Sequence, residues 1–186
     1  MEAYEDFAHI GPGTVAGKFL RQFWQPVLVG DDLVIGRPKR IQILNQYYTA
    51  YRGDDGVAHV VADACPHRQT QLFLGWVEGS DIRCFYHGWK FAASGQCVEA
   101  PAEHDGFAAT VKIRSYPTEE YKGLIFAFLG EEGEAPALEI EIEDPEAVHI
   151  GIDGEEILSI EQGTDEDEFN KNLAEELDES VLQQIA

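Results

Sequence analysis

The sequence predicts an all-β, antiparallel fold over its first 130 residues. Three observations carry this. Short stretches rich in β-branched and aromatic residues recur about every ten residues, with turn residues between them. No strand–helix alternation announces a parallel sheet, and no internal repeat is visible. The chain has 186 residues, 44% apolar and 11% aromatic, enough for one domain with a real core and too short for two full-sized ones.

In chain order, Gly11-Pro12-Gly13-Thr14 is a turn, with Thr14 placed to cap a short helix. Phe19 and Phe23, four residues apart in that helix, are expected to point together toward a core. Trp24 to Val29 reads as a strand closed by Gly30-Asp31-Asp32. Strand signals then follow at Ile41-Gln42-Ile43-Leu44, Tyr47-Tyr48-Thr49-Ala50-Tyr51 and Val57-Ala58-His59-Val60-Val61. Gly53-Asp54-Asp55-Gly56 between the last two is hairpin chemistry, because Asp-Gly readily supplies positive φ. Arg83-Cys84-Phe85-Tyr86 and Trp89-Lys90-Phe91 flank a glycine, Ala92-Ala93-Ser94-Gly95 is a further turn, and Cys97-Val98-Glu99 returns. Val111 to Tyr116 and Leu124 to Leu129 complete the set.

The formal net charge is −22, which argues against nucleic acid and anionic membrane surfaces as partners. That charge is uneven. Residues 1–130 carry 15 acidic against 12 basic side chains, a net of −3, whereas 131–186 carry 20 acidic side chains and one basic, Lys171. The chain is therefore read as a folded unit, 1–130, and an acidic extension, 131–186. No apolar run approaches the roughly 18 residues of a membrane span. The acidic N-terminus, with Glu2, Glu5 and Asp6, is unlike a secretory signal. Cytoplasmic location is the expectation.

Two clusters carry chemistry: Cys65-Pro66-His67-Arg68 and Cys84-Phe85-Tyr86-His87, with 16 residues between His67 and Cys84. Each pairs one thiol with one imidazole, a metal-ligand set by type. A structural zinc finger usually pairs Cys with Cys and His with His, the histidines three to five apart on a helix. Here each loop offers one sulfur and one nitrogen, which suits two irons side by side, one held by thiolates and one by imidazoles. A zinc-binding structural protein is the remaining alternative for these residues.

These motifs, together with Phe23-Trp24-Gln25-Pro26-Val27, Asp63-Ala64-Cys65-Pro66-His67-Arg68, Tyr86-His87-Gly88-Trp89-Lys90-Phe91, Gly95-Gln96-Cys97-Val98 and Ala100-Pro101, resemble the Rieske [2Fe–2S] proteins. More narrowly, they resemble the N-terminal part of Rieske non-haem iron oxygenases of the phthalate dioxygenase type. The resemblance implies a Rieske β-domain with a cluster-binding two-loop subdomain. In it, Cys65 and Cys84 would bind one iron and His67 and His87 the other. Exchanging two thiolates for neutral imidazoles makes such a centre easier to reduce, raising potentials from about −400 mV to about −150 mV or above. Neither loop has the spare cysteine of high-potential respiratory Rieske proteins. Trp89 stands where those resemble Ser, one fewer donor to the cluster. Both departures imply the low-potential, oxygenase-like type.

The function so implied is one-electron transfer. A reductase or ferredoxin would supply the electrons, and a mononuclear non-haem iron domain would accept them. A stand-alone Rieske ferredoxin-type carrier is the alternative. The mononuclear-iron catalytic domain is expected to be separate or missing. Beyond His87 only His104 and His149 occur, 45 residues apart, a poor match for two histidines and a carboxylate on one iron. The chain alone is expected to bind two irons and hydroxylate nothing.

Blander roles go to the rest. Cys97 reads as a small buried thiol, His59 as a surface or edge residue, and Trp24, Trp89, Tyr47 and Tyr48 as packing. Arg68 reads either as a surface charge beside the cluster for a redox partner or as a plainly solvated side chain. His9, His104 and His149 receive no role. In the extension, Phe169, Leu173, Leu177, Val181 and Ile185 recur every four residues after Thr164-Asp165-Glu166, which predicts an amphipathic helix over 165–185.

Overall fold

Thr14 caps the first element as its hydroxyl suggests, with Oγ1 accepting from the Gly17 amide at 3.1 Å ahead of α1 (Val15–Leu20). In the computed structural model, residues 8–131, 133 and 135–138 are described, along with the backbone strands at 147–152 and 155–161. The expectation for Phe19 and Phe23 is corrected: they lie 58% and 52% exposed and meet edge-to-face at 5.2 Å. Phe23 lies beyond the end of α1, so the four-residue spacing is not carried by one helix. The side of α1 that turns inward is lined by Ala16 and Gly17, small enough for the helix to approach the domain closely.

Among the described residues of the first unit eleven strands follow, all paired antiparallel. Strand β1 (Trp24–Val29) joins β10 (Thr118–Tyr121) and β11 (Leu124–Phe128) in the order β1-β11-β10. A second sheet runs β2 (Lys39–Ile43), β3 (Gln46–Arg52), β4 (Ala58–Ala62), β9 (Ser115–Tyr116). A third runs β5 (Trp76–Glu78), β6 (Asp81–Arg83), β7 (Lys90–Phe91), β8 (Cys97–Glu99). Leu44 is turn rather than strand: with Asn45 it takes positive φ, 47° and 58°, the two-residue connection that matches strand twist. Likewise Cys84-Phe85-Tyr86 is loop, since β6 ends at Arg83.

The period-2 alternation of β3 and β4 feeds two cores. One face sends Tyr48, Ala50, Ala58 and Val60 against Val27, Ile41, Ile125, Ala127 and Leu129. The other sends Tyr51 and Val61 against Leu72, Ile82, Phe91, Cys65 and Cys84. Leu72, Ile82 and Phe91 are fully enclosed, and such side chains contribute about 1.5–3 kcal/mol each. His59 shares this second face, which corrects its surface assignment. It pairs with Tyr51 across the strands, their rings 5.1 Å apart, and its Nε2 is buried with no hydrogen-bond partner. Burial holds its pKa below the ordinary value, against the pull of Asp55.

The chain divides into two units, Met1–Leu138 and Glu139–Ala186. Residues 135–138 thus go with the first unit, where Trp24 Nε1 donates to the Pro136 carbonyl at 2.8 Å. In the second unit β12 (Ala147–Ile152) and β13 (Glu155–Glu161) form an antiparallel hairpin, which the sequence reading did not anticipate. The helix expected over 165–185 lies outside the described residues.

Candidate metal centre

Both Cys/His clusters sit at the tips of antiparallel hairpins, and the two tips share one backbone design. In the first, the Cys65 amide donates to the Thr70 carbonyl at 2.8 Å and the Gln69 amide to the Cys65 carbonyl at 2.9 Å. In the second, the Cys84 amide donates to the Trp89 carbonyl at 2.8 Å and the Gly88 amide to the Cys84 carbonyl at 3.0 Å. The flanking pairs correspond too, Ala64 with Gln71 and Arg83 with Lys90. Each tip turns on one left-handed residue at the fifth position, Gln69 at φ 58° and Gly88 at φ 74°. Within this common frame the histidine is third in one loop and fourth in the other.

The structure brings all four predicted residues together. Cys65 and Cys84 are 1% and 2% exposed and lie together in the second core. The His67 and His87 rings lie 4.5 Å apart, His67 half-buried and His87 exposed. Burial pushes the Cys65 thiol up to about 12, opposed by a hydrogen bond from the His67 amide. The Cys65 thiol therefore stays protonated by itself, so a metal that binds it must displace the proton. His67 Nδ1 is buried without a partner, an orphan of the kind that asks for a ligand.

Trp89, expected to be packing, does more than fill space. Its ring stacks on His67 at 4.6 Å with planes 6° apart, and Phe107 abuts it edge-on at 5.5 Å. Cys97 is buried as expected and donates to the Glu99 carbonyl at 3.3 Å. Arg68 is exposed. His104 packs edge-on against Phe107, their centroids 5.6 Å apart.

Two arginines that the sequence reading passed over brace the loops from below. Arg40 grips the Asp63 carboxylate through Nε and Nη2, at 3.0 and 2.8 Å to Oδ2, two residues before Cys65. Its guanidinium also covers the Tyr47 ring at 3.7 Å. Arg83 donates to the Gly88 carbonyl at 2.7 Å while pairing with Glu78 and Glu99. Lys90 pairs with Glu99 as well. Hydrogen bonds from Arg83 and Trp76 hold the Glu78 carboxyl down at about 2. Nothing in single-residue spacing marks Arg40–Asp63 or Arg83–Glu99, whose partners are 23 and 16 positions apart.

Among the described residues no three His, Cys, Asp or Glu side chains are set around one metal ion. The four residues instead form a sulfur pair and a nitrogen pair, which suits a centre of two irons with two protein ligands each. The family comparison agrees: the Rieske [2Fe-2S] domain matches residues 23–117. The chain belongs to the Rieske [2Fe–2S] domain family.

Membership of the Rieske family implies a Rieske-type [2Fe–2S] cluster and a role in electron transfer. The 3-chlorobenzoate-3,4-dioxygenase oxygenase subunit of Comamonas testosteroni is 37% identical over 137 residues, 72% of this chain and 32% of its own. The crystal structure of dicamba monooxygenase bound to dicamba superposes with TM-score 0.62 at 30% identity, over 72% of this chain and 41% of that one. A fluorene-bound oxygenase and ferredoxin complex of carbazole 1,9a-dioxygenase gives TM-score 0.59 at 27% identity, over 71% and 36%. The chain spans about a third of the length of the curated relatives it matches. Among the described residues, no helix is long and apolar enough to cross a membrane.

Proposed function

We propose that Cys65 and Cys84 hold one iron of a Rieske [2Fe–2S] cluster and His67 and His87 the other. The domain then serves as the electron-transfer part of a Rieske oxygenase. The observation that carries the ligand set is the meeting of two equivalent loops. They bury two adjacent thiols under two imidazoles 4.5 Å apart, one of which has an unpartnered inner nitrogen, His67 Nδ1. When bound, the cluster supplies a site for one electron at a time. The protein's part is to fix and enclose it. The Cys65 and Cys84 backbones are locked by hairpin hydrogen bonds, Trp89 fixes the His67 ring plane, and exposed His87 gives the approach from solvent.

The oxygenase setting rests on the relatives, oxygenase subunits of aromatic dioxygenases among them. The electron donor is a reductase or ferredoxin, and oxygen activation belongs to a mononuclear iron outside residues 8–131. The test is EPR of the full chain, loaded with iron and sulfide and reduced with dithionite. A mixed sulfur/nitrogen [2Fe–2S] signal is the expected result. A four-thiolate spectrum, or no signal from folded protein, overturns the ligand set. The setting is tested by turnover: product should form only when a mononuclear-iron domain accompanies this one and its reductase. Product from this chain and reductase alone would refute the division of labour.

A further inference from the structure

Three side-chain atoms among the described residues are buried without a hydrogen-bond partner: His59 Nε2, His67 Nδ1 and Trp89 Nε1. Two of the three belong to rings stacked on each other, His67 and Trp89, 4.6 Å apart and 6° from parallel. An imidazole nitrogen and an indole N–H cannot satisfy each other across such a stack, because both lie in the planes of their rings. Trp89 is 4% exposed, so water has little access to its N–H. Its own carbonyl accepts from the Cys84 amide, and the residue shares a core with Cys65 and Cys84. The tryptophan is therefore held at the candidate centre by backbone and ring at once, with one donor left over. Buried donors in folded proteins are nearly always paired.

We propose that Trp89 Nε1–H is a hydrogen-bond donor to a sulfur of the bound cluster, and that Trp89 tunes the potential of the centre as well as packing it. This rests on the ligand reading above. It replaces the sequence expectation that Trp89, standing where respiratory relatives resemble Ser, means one fewer donor. The physical consequence has a definite sign. Reduction adds negative charge to the cluster, so a donor aimed at its sulfur stabilises the reduced form more than the oxidised form. Trp89 thus raises the potential above what His67, His87 and the two thiolates would set by themselves.

The test uses the full chain with its cluster and Trp89→Phe, which keeps an aromatic ring for stacking on His67 and removes the N–H together with the pyrrole part of the indole. The variant should show the same mixed-ligand EPR signal, with reduction roughly three- to tenfold less favourable. A tenfold loss corresponds to about 59 mV for a one-electron couple. Trp76→Phe, at an exposed tryptophan whose indole donates to Glu78, should leave the potential unchanged. An independent measurement needs no substitution: with indole-15N tryptophan in the wild-type chain, the reduced cluster should show hyperfine coupling to an indole nitrogen and its exchangeable proton. An unchanged potential in Trp89→Phe, or no such coupling in wild type, overturns the proposal. In either case an intact mixed-ligand signal would leave the ligand set standing. Loss of that signal in the wild type would instead defeat the ligand set.

Discussion

The two hairpin tips, 65–70 and 84–89, are closed by the same pair of backbone hydrogen bonds and yet are held by different means. The first hangs from one ion pair, Arg40 with Asp63, backed by a π-face. The second rests on a four-member network of Glu78, Arg83, Lys90 and Glu99 spread over β5 to β8. The first uses an L-residue in the left-handed region, Gln69, where the second uses Gly88. One backbone solution thus accommodates unlike side-chain support. What the two tips share is the depth of the cysteine, and what differs is how firmly the rest is pinned.

The largest expected effect tests the shared part. Cys65→Ser and Cys84→Ser should each bleach the cluster's visible absorption, equally despite the unequal bracing. Cys97→Ser, a buried thiol outside the tips, should leave the spectrum intact. A surviving spectrum in either of the first two would break the equivalence.

Next come the braces. Arg83→Met leaves the Gly88 carbonyl without its donor and sets Glu78 and Glu99 against each other, so a loss of about 1–3 kcal/mol is expected in urea unfolding. Arg40→Met should cost less, about 1 kcal/mol, because Asp63, although only 12% exposed, keeps the Thr49 hydroxyl as a donor. The reverse order would show the first tip to be the more strongly held.

The left-handed residues give a smaller contrast of opposite sign. Gly88→Ala forces a Cβ into φ 74° and against Pro101 Cγ at 3.4 Å, for a loss of about 1–2 kcal/mol. Gln69→Gly relieves the same conformation and should stabilise by up to about 1 kcal/mol, reduced by the freer unfolded chain. Thermal melts read both.

The smallest effect is electrostatic. The Glu78 carboxyl is depressed from 4.5 to about 2 in the folded protein, and Glu99 is also lowered. A depressed acid stabilises above its unfolded value and loses that contribution as pH falls. The second tip should therefore loosen between pH 4.5 and about 2, as its network is protonated. Glu78→Gln should flatten this limb of the stability profile, and salt should shrink it. An unaltered acid limb in that variant would remove the network from the account.

What was legible in the sequence was local. The Thr14 cap and the hairpin chemistry at 53–56 depend on residues a few positions apart and appear where expected, and the Cys/His spacing that suggests the ligand set is equally local. Phe19 and Phe23 failed because α1 stops at Leu20, before Phe23, and because spacing does not say which face turns inward; Ala16 and Gly17 decided that. His59 failed because an alternating strand looks half-exposed until both its faces are covered. Of the arginine braces, Arg40–Asp63 and Arg83–Glu99 were invisible because they join residues 23 and 16 positions apart. Asp153-Gly154, between the residues that form β12 and β13, was a usable hairpin signal obscured by the acidity around it. Trp89 was read for bulk, and its unmatched N–H emerged only once the stack on His67 was in view.

One feature of the fold bears on how the domain comes apart. Strands β3 and β4 supply side chains to both cores, so they form a party wall between the basal sheets and the loops. A wall of this kind cannot be stripped from one side while the other stands. Heat or urea should therefore take down the domain in a single cooperative step. Occupancy of the tips by iron and sulfide should register as a shift in that one transition, felt as far away as the Tyr48–Tyr116 contact at the opposite core.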